Sequence, residues 1–206
     1  MAFIAVSGNK GGVGKTTTAL NIAGMIAHKT GESVLAVDAD GRNRSLSTWK
    51  DHDLGFDILE HEEHLRYVTN YQHVVYDLPG NPEGDNLPKI ARGVDLMILP
   101  LVPDRLSIEP VLNLASQLDP TTWRVLVTLS PTYPATDGER TRDRFREAGL
   151  PVFETVIHRL KVYREAANTY SIAEAEYEAV FQELCLLKGF EALKKASRGG
   201  QRVRKS

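Results

Sequence analysis

The sequence holds one cysteine in 206 residues, Cys185. A lone thiol excludes an internal disulfide framework and any zinc site built from several thiolates. Set among Leu184, Leu186 and Leu187, it reads as a small buried apolar side chain. Long apolar runs are also missing: none approaches the ~20 residues needed to cross a bilayer, and Met1-Ala2-Phe3 leads straight into a strand pattern where a secretory leader would place its basic and apolar regions. The expected compartment is the cytoplasm. There is no internal repeat, no low-complexity linker and no helix-turn-helix pattern ahead of residue 8. The expectation is therefore one domain over 1–197 followed by a loose basic tail over 198–206. An excess of one charge is missing as well, since the formal net charge is -2. Its distribution is more informative than its sum: Lys188, Lys194, Lys195, Arg198, Arg202, Arg204 and Lys205 face one acid, Glu191, in the last nineteen residues.

What is present is organised by Gly8-Asn9-Lys10-Gly11-Gly12-Val13-Gly14-Lys15-Thr16-Thr17. The buried-strand pattern Phe3-Ile4-Ala5-Val6 precedes it and a helical pattern from Thr16 to Ala27 follows, the context a phosphate-binding loop requires. Glycines let the backbone of Gly11, Gly12, Val13 and Gly14 wrap closely enough for successive N–H groups to face phosphate oxygens, and the helix N-terminus adds partial positive charge. Lys15 would reach the β and γ phosphates, Thr16 would ligate Mg²⁺, and Thr17 continues the first turn.

Ser33-Val34-Leu35-Ala36-Val37 reads as a second strand ending in Asp38-Ala39-Asp40, so strand, helix and strand fit within about forty residues as a βαβ unit. Further strand patterns are 74–76 leading to Asp77, 96–101, 124–129 and 152–156. Candidate helices lie between them at 86–91, 107–117, 136–148 and 172–195. Near-continuous apolar strands alternating with helices predict an α/β fold, a doubly wound and mostly parallel sheet with helices on both faces. Ligands of such sheets bind beyond the carboxyl ends of the strands, which is where Asp38, Asp40 and Asp77 fall. Asp77 follows its strand as a Walker B acid does, suited to the Mg²⁺ shell. Each acid alone is also compatible with a helix cap or turn.

The run Lys10-Gly-Gly-Val-Gly-Lys15-Thr-Thr resembles the deviant Walker A box of the ParA/MinD superfamily of ATPases. The resemblance extends from Ile4 to about Leu193 and is closest to the small partition ATPases without an N-terminal helix-turn-helix. It implies ATP and Mg²⁺ as cofactors, and an ATP-dependent homodimer in which Lys10 reaches the partner's nucleotide. By the same resemblance Asp40 positions the attacking water, with Lys10 and Lys15 completing the catalytic set, and Asp38 supports the metal shell held by Thr16 and Asp77. Asp77-Leu78-Pro79-Gly80-Asn81 is similar to the family's γ-phosphate switch. Leu99-Pro100-Leu101-Val102-Pro103 with Ser107 and Glu109 resembles the family's dimer face, and Pro131 would lie against adenine. Where many relatives read Asp-Pro-Gln, this chain has Asp40-Gly41-Arg42-Asn43, leaving Arg42 or Asn43 to serve at the interface. Ser45-Leu46-Ser47-Thr48-Trp49 again resembles the small partition ATPases.

The resemblance leaves two surfaces for the dimer, membrane or nonspecific DNA. A membrane helix needs bulky apolar residues opposite its basic ones. After Leu193 only Val203 qualifies, and Gly199-Gly200 is expected to break the helix, so no membrane partner is expected. DNA asks only for phosphate-neutralising charge, which Lys194, Lys195, Arg198, Arg202, Arg204 and Lys205 would supply, with Arg159, Lys161 and Arg164; a merely solubilising tail is the plain alternative. The leading reading is thus a DNA-segregation switch on the nucleoid, stimulated by a ParB-like centromere-binding adaptor. The alternatives are a ParA-like positioning ATPase for another cargo such as a protein microcompartment, or a small-molecule kinase or ligase. An iron–sulfur relative would need a thiolate pair from each chain, and one cysteine excludes it. His61 and His64, flanked by Glu60, Glu62 and Glu63, are expected on a solvated helix face.

Overall fold

In the computed structural model the described residues are 1–8, 10–80, 86–133 and 136–203. Asn9, Asn81, Arg204 and Lys205 lie outside them. Six strands form one wholly parallel sheet: β1 (Ala2–Gly8), β2 (Val34–Asp38), β3 (Asp57–Glu60), β4 (His73–Gly80), β5 (Leu96–Leu101) and β6 (Trp123–Val127), in the order β3-β2-β4-β1-β5-β6. The helices among the described residues are α1 (Lys15–Thr30), the single turn α2 (His61–His64), α3 (Asn86–Arg92), α4 (Arg105–Ala115), α5 (Asp137–Glu147), α6 (Lys161–Thr169), α7 (Tyr177–Leu184) and α8 (Glu191–Val203).

Alternation along the strands divides the core between two faces. Ile4, Val6, Leu96 and Ile98 pack with Ile22, Ile26, Tyr177, Phe181 and Leu193, which brings α1, α7 and α8 onto one face. Ala5, Met97, Leu99 and Leu101 pack with Val111, Leu114 and Phe145, which brings α4 and α5 onto the other. Covering both faces is what makes the strands read as continuous apolar runs. On the first face a Cβ at Gly24 would lie 2.7 Å from the Ile172 side chain, so glycine permits that close approach.

Four sequence expectations are corrected. Residues 152–156 do not form a strand: Val152 makes one isolated bridge to Val125, and the Glu183 carboxylate takes the N–H of Thr155 (2.8 Å), the one that would continue the ladder after Phe153, together with that of Glu154 (2.7 Å). The single helix expected over 172–195 is two helices. Asn21 takes the Ala173 N–H at 2.9 Å before α7 begins, and Gly189 at φ 93 separates α7 from α8. Residues 198–203, expected as a loose tail broken at Gly199-Gly200, continue α8; a glycine costs a helix interior only about 1 kcal/mol, too little to end it by itself. His64 is buried, edge-on to Tyr76 at 5.5 Å between ring centroids, and not on a solvated face.

Candidate nucleotide site

Parallel register delivers the site's parts to one edge. Val6 and Asp38 both pair with Asp77, and Gly8 pairs with Gly80 across a register shift. The ends of β1, β2 and β4 therefore present the loop and two of the three acids side by side. Gly12 (φ 74) and Gly14 (φ 87) take left-handed backbone conformations that a side chain would oppose. Gly14 is the N-cap of α1, with no side-chain cap and no acid in the first turn. The positive end of that sixteen-residue helix is thus left for an outside anion. The loop is anchored from β6: Thr128, buried, donates its hydroxyl to the Val13 carbonyl at 2.8 Å.

Two lysines emerge from the loop. The Lys15 ammonium donates to the Lys10 carbonyl at 3.4 Å, and a Cβ built on Gly80 would lie 3.4 Å from it, so the end of β4 runs directly beside this charge. The Lys10 ammonium lies 3.5 Å from Ser107 Oγ and 3.8 Å from Asp104 Oδ2, at the start of α4. Ser107 in turn donates to Asp104 at 2.9 Å.

The three acids differ in their surroundings. Asp77 is buried; its Oδ2 accepts the Thr16 hydroxyl at 2.6 Å while its Oδ1 has no protein partner. Burial raises its carboxyl to about 7. The Thr16 hydrogen bond and the Lys15 charge oppose that rise, and the charges of Asp38 and Asp40 add to it. Asp38 Oδ1 accepts the Asp40 N–H at 3.1 Å, and its Oδ2 accepts both the N–H and the hydroxyl of Ser47 at 2.8 Å. Asp40 accepts N–H groups of Arg42 (3.3 Å) and Asn43 (3.2 Å) on Oδ1 and the Asn43 amide on Oδ2 at 2.8 Å. Burial pushes the Asp40 carboxyl up, but the Asn43 side-chain and backbone hydrogen bonds, the Arg42 N–H and the Lys15 charge outweigh it, and the net direction is down.

This donor set fits a hydrated Mg²⁺ beside a polyphosphate. A buried carboxylate oxygen without a partner next to a threonine hydroxyl is what one metal edge needs, with water and phosphate oxygens for the rest of the octahedron. No group of three or more His, Cys, Asp or Glu side chains is placed to hold a metal among the described residues, in keeping with a site that shares its ion with a substrate.

The structure thus brings together Gly11 through Thr17, Asp38, Asp40 and Asp77. It places Lys10 on its own chain's Asp104 and Ser107. Pro131 is half-buried in the loop after β6, beyond the clamp at Thr128. The basic residues do not converge on this edge: Arg159 precedes α6 and Arg164 lies on it, both exposed, while Lys194, Lys195, Arg198 and Arg202 lie on α8, which packs against α1. No helix among the described residues is long and apolar enough to cross a membrane. Sequence reasoning missed Thr128 and Ser47 as site-building residues and left Asn43 to the interface. A polar side chain at a strand end facing the loop was the available signal for Thr128, and the Asx-type spacing from Asp40 to Asn43 for Asn43.

The family model described as AAA domain matches residues 1–97. The chain is 34% identical over 203 residues to the maintenance of carboxysome distribution protein A of Gloeobacter kilaueensis, covering 88% of this chain and 93% of that protein. Among solved structures, a Cyanothece McdA variant in complex with ATP matches with TM-score 0.63 and 14% identity, over 98% of this chain and 95% of the other. A plasmid partition protein of Borrelia burgdorferi bound to AMPPNP matches with TM-score 0.66 and 14% identity, over 88% and 97%. With a phosphate loop carrying Lys10 and Lys15, acids in register at its edge and a relative this similar along almost its whole length, the chain belongs to the ParA/MinD superfamily of P-loop ATPases.

Proposed function

We propose that this chain is a ParA-type positioning ATPase whose cargo is a protein-shelled compartment. The observation that carries the cargo is the near-full-length likeness to a protein named for carboxysome distribution. In this reading the N–H groups of Gly11 through Lys15 bind ATP phosphates and Lys15 neutralises them, while Thr16 and Asp77 would hold a Mg²⁺ ion that would supply further countercharge to the phosphates. Asp40 orients the attacking water, and Lys10 leaves Asp104 for the triphosphate of a second copy. The dimer then binds nucleoid DNA without sequence preference through α8 and the α6 region, and an adaptor on the cargo stimulates hydrolysis and release. Partition of DNA through a centromere-binding adaptor is the second reading, favoured by the fold shared with the Borrelia partition protein.

Gel filtration with Mg-ATP tests the switch: the native chain is expected to shift to a dimer and Lys10→Ala to remain monomeric. A dimer unaffected by Lys10→Ala would overturn it. For DNA, each phosphate contact removed is expected to lower the salt-dependence slope by about 0.9, so Lys195→Gln with Arg198→Gln should flatten it; an unchanged slope would remove α8 from the interface. Cargo is separated in cells lacking the gene. Clustered compartments with normal plasmid retention support the first reading, and plasmid loss with evenly spaced compartments the second.

A further inference from the structure

The Asp40–Ser47 loop is fastened by hydrogen bonds to its own two acids. Each carboxylate oxygen offers about two lone-pair directions. On Asp40, Oδ1 has both taken by the Arg42 and Asn43 N–H groups, and Oδ2 has one taken by the Asn43 amide. Among the hydrogen bonds of the described residues, one acceptor direction on Oδ2 is therefore left. On Asp38, Oδ2 is filled by the two donors of Ser47. The donor on Asp40 must be the Asn43 nitrogen, because a carboxylate only accepts. The loop that carries Asn43 has little room to drift: Arg44 sits at φ 46 with its N–H on the Asp40 carbonyl at 2.9 Å, and Leu46 is fully buried.

We propose that Asn43 is a positioning residue for ATP hydrolysis: its amide fixes the Asp40 rotamer and blocks one lone pair, so that a water can meet this carboxylate from a single direction. Sequence reasoning left Asn43 to the dimer interface; its geometry turns it inward, onto the chain's own acid. The inference rests on the reading of Asp40 as the group that orients the attacking water, and it accounts for a chain that reads Gly41-Arg42-Asn43 after that acid. A water aligned this way gains through orientation, where an ångström of misplacement costs on the order of 100-fold in rate.

The test is single-turnover hydrolysis of Mg-ATP by the full chain, with affinity for a fluorescent ATP analogue and the melting temperature measured on the same samples. Asn43→Ala is expected to lower the hydrolysis rate by about 10-fold to 100-fold while the analogue's Kd stays within about twofold and the melting temperature holds. Asn43→Leu keeps a similar side-chain volume without a donor or an added charge, is expected to lose a similar factor, and serves if the alanine variant fails to fold. Added to Asp40→Ala, Asn43→Ala should cost nothing further, since it acts through that residue. An unchanged rate in Asn43→Ala, or a rate lost only together with affinity and melting temperature, would overturn the assignment. Asp40→Ala separates the two layers: normal hydrolysis there refutes the reading of Asp40, whereas a dead Asp40→Ala beside a normal Asn43→Ala refutes the role of Asn43 alone.

Discussion

Replacing Thr128 by valine keeps the volume and β-branching of the side chain and removes one hydroxyl. That hydroxyl donates to the Val13 carbonyl at 2.8 Å, between a residue 1% exposed and one 4% exposed. Water cannot reach the carbonyl to replace the lost donor, so the change carries the full penalty of an unpaired buried acceptor, about 1–3 kcal/mol. The penalty falls on the loop that must hold its N–H groups toward the phosphates. If the fold absorbs it, the melting temperature falls by roughly 2–4 °C for each kcal/mol in a domain of this size. If the loop relaxes and must be rebuilt on binding, the same energy appears as a loss of ATP-analogue affinity of about 5-fold to 150-fold. Isothermal titration with a non-hydrolysed analogue, alongside thermal melts with and without ligand, measures both shares. Thr128→Ser restores the donor and should recover most of the loss. Equal Kd and melting temperature in native and Thr128→Val protein would refute the clamp, and so would a serine variant as impaired as the valine.

Asp77 sets a pH dependence in the nucleotide-free and Mg²⁺-free chain. It titrates at about 7 when folded and 3.8 when unfolded, so between those values the native state holds a proton that the unfolded state has lost, and stability falls as pH rises, by up to about 4 kcal/mol once both limits are passed. Urea midpoints from pH 4.5 to 8 should show this fall in the native chain and its loss in Asp77→Asn; parallel curves would contradict it. Gly80→Ala places a methyl 3.4 Å from the Lys15 ammonium, leaving little room for a phosphate oxygen. Urea unfolding should place its stability within about 1 kcal/mol of native, while a hydrolysis assay shows reduced turnover.

The parts of the site written in backbone and register were legible. Glycines at fixed spacing between a strand and a helix define the loop, and acids that end apolar strands must meet at one edge once the sheet is parallel. What escaped was decided by side chains that compete for backbone groups from far away in the sequence. Val152–Val156 has strand composition, yet Glu183, twenty-nine residues on from Glu154, takes its N–H groups. Residues 172–175 have helical composition, yet Asn21 on α1 captures Ala173 and Ala175 sits at φ 26. β3 is four residues long with Ile58 alone fully inside, too little pattern to register. Local charge suggested a solvated His64, and the ring of Tyr76 decided otherwise. Apart from β3, a partner distant in sequence overrode a local preference each time, as expected when propensities are worth a fraction of a kcal/mol per residue.

Lys10 shows how such a competition can serve a switch. Its contacts with Asp104 and Ser107 are long, and both side chains of the ion pair are nearly half exposed. A pair of that kind contributes no more than about 1 kcal/mol. A triphosphate carries several charges and several acceptors, so it outcompetes one half-exposed carboxylate for the same ammonium. On the proposed switch reading, the Lys10 contact is weak enough for a second subunit's nucleotide to displace it. Neutralising the holder alone, as Asp104→Asn, should lower the ATP concentration at which the dimer forms without altering nucleotide affinity of the monomer. Analytical ultracentrifugation across an ATP series reads the first quantity and analogue titration of dilute protein the second. A dimerisation midpoint that does not move would show that Asp104 holds nothing back.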